Sequence, residues 1–312
     1  MYKILFGGHN LQNIYEESEK MGLQPKINGK TVERAYEDYR NGIYLVNRRY
    51  QRKLVWSIKE KEAFIDSLKN GYPVPLFLFS VNDYKEIRRQ EIIDGMQRLN
   101  AVFGFIENEF TINGCYFDLS STALTKQLLD EKILEQKLPI LDRSSCVSIA
   151  SYELPFSIYD EARPEIIDEV FRRINSNGKH LSRQEIRQAG ATGEFAELVR
   201  TLSTKLRGDV SHEDILLLDQ MKEISIQQDG NGYGINADEV FWVKQNIIDK
   251  KDLRLSMDEE IVGDLVGAMV ADTMPPSRVS VLDGYYYINE EEQDGRGYKT
   301  EKALQVRGSE AV

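Results

Sequence analysis

The most informative segment of the sequence is Glu91-Ile92-Ile93-Asp94-Gly95-Met96-Gln97-Arg98-Leu99, where a short apolar run meets Asp94-Gly95 and a helical pattern follows. Apolar residues then recur at the i, i+3, i+4, i+7 spacing of an amphipathic helix, at Leu99, Val102, Phe103 and Ile106. The sequence therefore predicts a strand that ends at Asp94 and a helix that begins beside it. The free backbone N–H groups of the first helical turn would all point to one spot.

Such a turn can bind an anion, because the first N–H groups and the helix dipole carry partial positive charge. Gly95 would let the backbone approach a phosphate closely, and Arg98 could clamp the phosphate with two N–H donors. Asp94 would repel the anion unless a divalent cation lay between them. The same residues also allow a structural interpretation, in which Asp94 caps the helix and Arg98 forms a surface salt bridge.

A second segment, residues 47–56, combines turn residues with clustered cations. Residues 48–59 contain five cations and no acid, namely Arg48, Arg49, Arg52, Lys53 and Lys59. The whole chain carries a net charge of −11 and has a pI near 5.0. This balance argues against a protein that coats nucleic acid through bulk charge. A basic segment in an acidic chain instead indicates one local contact site.

The remaining periodicity predicts strands and helices up to about residue 160 and mainly helices afterwards. Strands are expected over 43–46, 76–81, 91–93 and 146–152, with a turn at Asn82-Asp83 and a hairpin over 110–117 around Asn113-Gly114. Capping boxes predict helix starts at Ser57–Glu60 and Ser182–Glu185. Further helices are expected over 194–206, 212–224, 237–248 and 257–274.

The fold class predicted from this pattern is α+β. We expect an α+β domain over residues 1–160, a helical domain over 161–276 that ends at Pro275-Pro276, and an unassigned tail over 277–312. No apolar run approaches the roughly 18 residues that a membrane span requires. The start of the chain lacks a secretory signal, and Cys115 and Cys146 form no disulfide framework. These features predict a cytoplasmic protein with no membrane partner.

The order of the motifs resembles the N-terminal domain family of GmrSD-type restriction systems, which has a ParB/sulfiredoxin-like fold. YQRKLVW (50–56), SLKNGYPVPLFLF (67–79) and EIIDGMQRLNAVF (91–103) follow one another as in that family, and FRRINSNGKHLSRQEIR (171–187) resembles its second landmark. The family's Asp-Gly-Gln-Gln-Arg motif is matched by Asp94-Gly95-Met96-Gln97-Arg98. The chain departs from it at Met96, whose thioether cannot hydrogen-bond as an amide does.

The resemblance implies a defence module that binds and hydrolyses a nucleoside triphosphate (NTP), coupled to recognition of foreign or modified DNA. Carried over by position, Asp94 and Arg98 would be catalytic, and Asp94 would also hold Mg²⁺. The nucleotide phosphates would contact Gly95, Gln97, Tyr50, Gln51 and Arg52. Two other functions stay open: a non-catalytic DNA sensor that recruits a partner nuclease, and a direct metal-dependent nuclease.

Candidate DNA contacts lie in both basic segments: Arg48, Arg49, Lys53, Arg173, Asn175, Arg183 and Arg187. Arg183 and Arg187 are four residues apart on one predicted helix, so they could grip adjacent phosphates. The alternative for this second cluster is a solvated helix face without a ligand.

Overall fold

The computed structural model describes residues 25–48, 53–160, 182–188, 193–209, 213–227, 234–271 and 279–286, together with positions 167, 170, 191, 211, 275 and 276. The strands are β1 (Lys26–Thr31), β2 (Tyr44–Asn47), β3 (Phe77–Tyr84), β4 (Ile87–Asp94), β5 (Glu153–Asp160) and β6 (Ile215–Leu217). The helices are α1 (Val32–Arg40), α2 (Ile58–Lys69), α3 (Met96–Ile106), α4 (Ala123–Asp130), α5 (Arg143–Ser151), α6 (Arg183–Gln188), α7 (Glu194–Arg207), α8 (Met221–Ile224), α9 (Phe241–Lys244), α10 (Lys250–Arg254), α11 (Met257–Val270) and α12 (Val279–Tyr286).

The strands form one mixed sheet in the order β1-β5-β3-β4-β2-β6. β3 pairs antiparallel with β4 and parallel with β5, and β2 pairs parallel with β4. Parallel neighbours need a long crossover, and the connection from β2 to its parallel neighbour β4 contains helix α2 and strand β3. The architecture is α+β, as the sequence predicted.

Helix α3 lies at the centre of the first hydrophobic core and is buried on almost every side. Its Phe103 ring stacks on Tyr39 of α1 with centroids 4.6 Å apart, while Phe79 and Phe156 meet across the sheet at 4.5 Å. Offset aromatic contacts of this kind add about 0.5–1.5 kcal/mol each beyond the area they bury. Helix α3 is therefore packed closely into the first core.

A second core forms between helices α7, α11 and α12. Phe195 of α7 stacks on Tyr285 of α12 with centroids 5.2 Å apart. Part of the segment that the sequence left unassigned thus packs into this core. The proposed boundaries after residues 160 and 276 stay predictions. Across the described ranges, no helix combines the length and apolar character needed to cross a bilayer.

The strand predicted over 146–152 is wrong, because residues 143–151 form helix α5. Asp142 caps this helix by accepting a hydrogen bond from the backbone N–H of Ser145 at 2.9 Å. The buried residues Cys146, Ile149 and Ala150 follow the spacing of a helix rather than the alternation of a strand. The neighbouring strand is β5, which begins two residues after α5 ends.

The helix predicted over 212–224 is also wrong. Its described part contains β6, which pairs with β2 through Leu45 and Leu217, followed by the single turn of α8. Pairing with an open sheet edge satisfies the backbone there, so tertiary contacts override the local helical pattern. Lys222 of α8 then bonds Glu107 at 2.7 Å and Glu109 at 2.5 Å, at the end of α3.

Three smaller expectations need correction as well. The turn predicted at Asn82-Asp83 lies at Lys85-Glu86, where both residues have left-handed φ angles of 52° and 63°. The hairpin over 110–117 is reduced to one bridge between Ile112 and Cys115, although its Asn-Gly turn is present. The helix over 237–248 is broken into a 3₁₀ turn and α9. The capping boxes at Ser57 and Ser182 are confirmed.

Candidate phosphate-binding site at the start of helix α3

The turn between β4 and α3 is built around Gly95. Its φ angle of 107° is left-handed, and a Cβ atom there would lie 2.5 Å from Cδ1 of Phe77. Only glycine satisfies both conditions. Gly95 is also the N-cap of α3, and no side chain caps the first turn. The backbone N–H groups at this end therefore have no side-chain cap, and the anion site that the sequence predicts there stays a prediction.

Arg98 faces the protein interior, and its side chain is 9% exposed. Its Nη2 donates to Asp94 Oδ2 at 2.6 Å and to Leu76 O at 3.1 Å, and its Nη1 donates to Pro75 O. The guanidinium also covers the Phe77 ring, 4.5 Å from its centroid. Burial lowers the pKa of Arg98, and the Asp94 carboxylate opposes that shift. Arg98 is thus neither a solvent-facing clamp nor a surface salt-bridge partner.

Gln97 connects the two motifs that the sequence singled out. Its Nε2 donates to Lys53 O at 3.0 Å, and its Oε1 accepts from the backbone N–H groups of Val55 at 3.0 Å and Trp56 at 3.3 Å. These bonds satisfy the backbone of a segment that has no strand or helix partner. The end of the basic segment is therefore attached directly to the first turn of α3.

Asp94 is the acid at this turn, and its side chain is 37% exposed. One of its oxygens bonds Arg98, and the other has no hydrogen-bond partner among the described residues. Within those residues, no group of three or more His, Cys, Asp or Glu side chains could hold a metal ion. Asp94 can supply one ligand, which fits Mg²⁺ only when phosphates and waters provide the rest.

The two ends of the basic segment are buried. Arg48 Nη2 pairs with Asp209, and its Nη1 donates to Ser211 O at 3.1 Å. Lys53 Nζ donates to Leu253 O at 2.7 Å. Neither side chain is placed to contact DNA, contrary to the expectation from sequence. The remaining candidates of this segment lie outside the described residues: Arg49, Tyr50, Gln51 and Arg52.

Lys53 is held in an environment that disfavours its charge. Burial, reinforced by nearby Arg207, lowers the pKa of Lys53 to about 8, although Asp258 and Glu259 oppose the shift. The same two acids pair with Arg207, at 2.7 Å and 2.9 Å. Lys53, the last cation of segment 47–56, therefore lies in a buried cluster of charges with Arg207, Asp258 and Glu259.

The second basic cluster does not form a continuous cationic face among the described residues. Arg183 is exposed, but Arg187 is 1% exposed and donates to Asp283 at 2.6 Å and Glu260 at 2.9 Å. Burial alone would lower the pKa of Arg187, but these acids raise it above its usual value. The two arginines cannot grip adjacent phosphates together. Arg173 and Asn175 lie outside the described residues.

Two side chains that the sequence did not predict also hold segment 53–56. Ser225 Oγ accepts from the Leu54 backbone N–H at 2.7 Å, and Arg254 donates to Val55 O. These residues hold segment 53–56 from the helical side. They lie about 170 to 200 positions away along the chain, so no local pattern could have revealed them. Met96 is 4% exposed within the first core, so its thioether packs rather than faces a ligand.

The comparisons with known proteins agree with the motif order. The family model for the GmrSD restriction endonuclease, N-terminal domain, matches residues 32–191. This range contains the turn at Gly95 and the segment that Gln97 holds, and it covers just over half of the 312 residues. No curated protein matches the chain. The chain belongs to the GmrSD restriction endonuclease N-terminal domain family.

Proposed function

We propose that this chain is a cytoplasmic defence module of a restriction system, which binds an NTP and hydrolyses it in response to foreign or modified DNA. The NTP phosphates lie at the start of α3. The observation that carries the proposal is the attachment of the basic segment to that helix end by Gln97, through three hydrogen bonds of 3.0 to 3.3 Å. We also propose that β3, β4 and α3 are arranged as in the ParB/sulfiredoxin-like fold.

The charge distribution supports a phosphate at this position. The α3 N-terminus offers backbone donors without a side-chain cap. Arg49 and Arg52 belong to the segment whose end is held beside that terminus, and both supply cations for phosphate. Tyr50 and Gln51 add hydrogen-bonding groups in the same segment. Backbone N–H groups and guanidinium groups together form the usual recognition set for a nucleotide phosphate.

Arg98 takes a different role in this proposal from the one that the family motif suggested. It holds the Asp94 carboxylate at 2.6 Å and fixes the carbonyls of Pro75 and Leu76, so it is a positioning residue. Asp94 keeps one oxygen for a metal ion or an attacking water. Mg²⁺ bound with the NTP would neutralise charge on the phosphates during transfer.

The test is a hydrolysis panel with four NTPs and Mg²⁺, with and without duplex DNA. Asp94→Asn keeps the size of the side chain but removes its charge, and we expect turnover to fall by about 100-fold or more. Asp130→Asn is the matched control, because Asp130 is an exposed acid that pairs with Lys126 one helical turn away. Absence of NTP hydrolysis by the wild type under every condition would reject the proposed enzyme activity.

A second candidate is a non-catalytic DNA sensor that recruits a partner nuclease. One observation favours it: Arg98 is buried against Asp94, so the described turn offers a single carboxylate and no exposed arginine to stabilise the transition state. Its expected signature is salt-dependent DNA binding without NTP turnover. A direct nuclease would need further metal ligands beyond Asp94, and plasmid nicking lost in Asp94→Asn would support that third function.

A further inference from the structure

Among the described residues, the hairpin of β3 and β4 extends beyond the pairing of its strands with β5 and β2. The described pairing of β5 with β3 reaches Val81 and Asp160, and that of β2 with β4 begins at Gln90. Beyond these points, three residue pairs continue the hairpin: Asn82 with Arg89, Asp83 with Arg88, and Tyr84 with Ile87. A two-residue turn at Lys85-Glu86 closes it, with left-handed φ angles suited to a tight hairpin.

This projecting ribbon, residues 82–89, carries more cations than acids in a chain of net charge −11. The cations are Lys85, Arg88 and Arg89, and the acids are Asp83 and Glu86. Two of the cations contact the ring of Tyr84: Lys85 Nζ lies 5.1 Å and Arg89 Cζ 5.7 Å from its centroid. Neither Lys85 nor Arg89 forms an ion pair with any described residue. Within the described part of the chain, their charges are therefore not compensated by an ion pair.

Arg88 is paired, but it can exchange its partner at little cost. Its side chain is 59% exposed and contacts Asp160, which is 37% exposed. Exposed ion pairs of this kind contribute only about 0–1 kcal/mol. Lys26 also bonds Asp160 at 2.8 Å, so the carboxylate keeps a cationic partner if Arg88 moves to a phosphate. Ile87 at the tip is 48% exposed and adds an apolar contact surface.

We propose that the β3–β4 ribbon inserts into the major groove of DNA, with Lys85 and Arg88 on the phosphates that flank the groove. Three residue pairs at about 3.4 Å per residue extend the ribbon by about 10 Å. The major groove is about 12 Å wide and 8.5 Å deep, and it admits a two-stranded β-ribbon. The inference rests on the DNA-recognition part of the proposed function and adds the surface that makes the contact.

The experiment measures binding of the purified full chain to a 20-base-pair duplex by fluorescence anisotropy between 50 and 200 mM salt. The variant is Lys85→Asn/Arg88→Gln, because asparagine tolerates the left-handed backbone at position 85. We expect binding at least about tenfold weaker, and a log–log salt slope lower by about 2, one unit for each phosphate contact removed. Lys126→Gln/Lys244→Gln is the matched control, since both lysines are exposed and paired with exposed acids; its slope should match the wild type.

A photo-crosslinker at position 87 provides a second measurement, and we expect an adduct with the DNA. Wild-type binding with an unchanged slope in the hairpin variant would overturn the ribbon proposal and leave the proposed function standing. A crosslink to a second copy of the chain in place of DNA would overturn it as well. No DNA binding by the wild type would reject both the ribbon and the DNA-recognition part of the proposed function.

Discussion

Arg88 and Arg98 lie ten residues apart on one strand–helix unit, yet their surroundings are opposite. The Arg98 side chain is 9% exposed and bonds one carboxylate and two carbonyls, whereas that of Arg88 is 59% exposed and meets one exposed carboxylate. The buried arginine belongs to the family motif, and the exposed one belongs to no motif. A residue of the motif can therefore have an internal structural role, whereas its availability for a ligand depends on its exposure.

The largest expected effect that tests this contrast is on stability. Arg98→Met leaves the carbonyls of Pro75 and Leu76 without their donor and removes the partner of Asp94. We expect a loss of about 2–4 kcal/mol, below the full cost for a buried pair because Asp94 stays partly hydrated. Arg88→Met should change the unfolding free energy by less than about 0.5 kcal/mol. Urea unfolding of both variants measures the contrast, and equal losses would contradict it.

A smaller effect is expected from the residue that joins the two motifs. Gln97→Leu removes one donor and one acceptor that serve three backbone groups in segment 53–56. We expect a destabilisation of about 1–3 kcal/mol, with faster amide hydrogen exchange at Val55 and Trp56. The matched control is Gln127→Leu, because the Gln127 side chain donates to an exposed glutamate one helical turn away rather than to a loop backbone. Unchanged exchange at Val55 and Trp56 would show that Gln97 does not hold this segment.

Buried and exposed lysines differ in the same way as Arg98 and Arg88. This difference predicts that the free energy of unfolding depends on pH. Because burial lowers the pKa of Lys53 from 10.5 to about 8, the unfolded chain binds more protons than the folded one between these values. Stability should therefore rise with pH over this window, by on the order of 1 kcal/mol between pH 8 and 9.5. Lys61, whose pKa burial also lowers to about 8, adds a rise of the same sign.

Lys53→Met should flatten part of that rise, and the exposed Lys126→Met should leave it intact. Urea unfolding at intervals from pH 7.5 to 9.5 provides the measurement. The window ends there because unfolded tyrosines ionise near pH 10, whereas burial raises the pKa of Tyr36, Tyr39 and Tyr44. That difference makes stability fall at higher pH. A wild-type profile without a rise would contradict the lowered pKa of buried Lys53.

Local sequence patterns predicted an element correctly where its structure depends on residues close together in the chain. The strand–Gly–helix turn at Gly95 and the capping boxes at Ser57 and Ser182 were predicted correctly, because their bonds and φ angles involve residues a few positions apart. Residues 146–152 and 212–224 were misassigned. In the latter, the structure depends on which sheet edge is open, and that edge is made by residues far away in the chain.

Periodicity, glycine and motif order are properties of the chain, so the α+β class, the family and the position of the turn at Gly95 could be predicted from sequence. Which cations face solvent depends on the tertiary structure. A cation cluster in the sequence has the same charge whether it meets water, a carbonyl or a carboxylate. Arg48, Lys53, Arg98 and Arg187 are buried because polar groups that the fold brings close compensate their desolvation, while Lys85 and Arg88 of the β3–β4 ribbon are exposed.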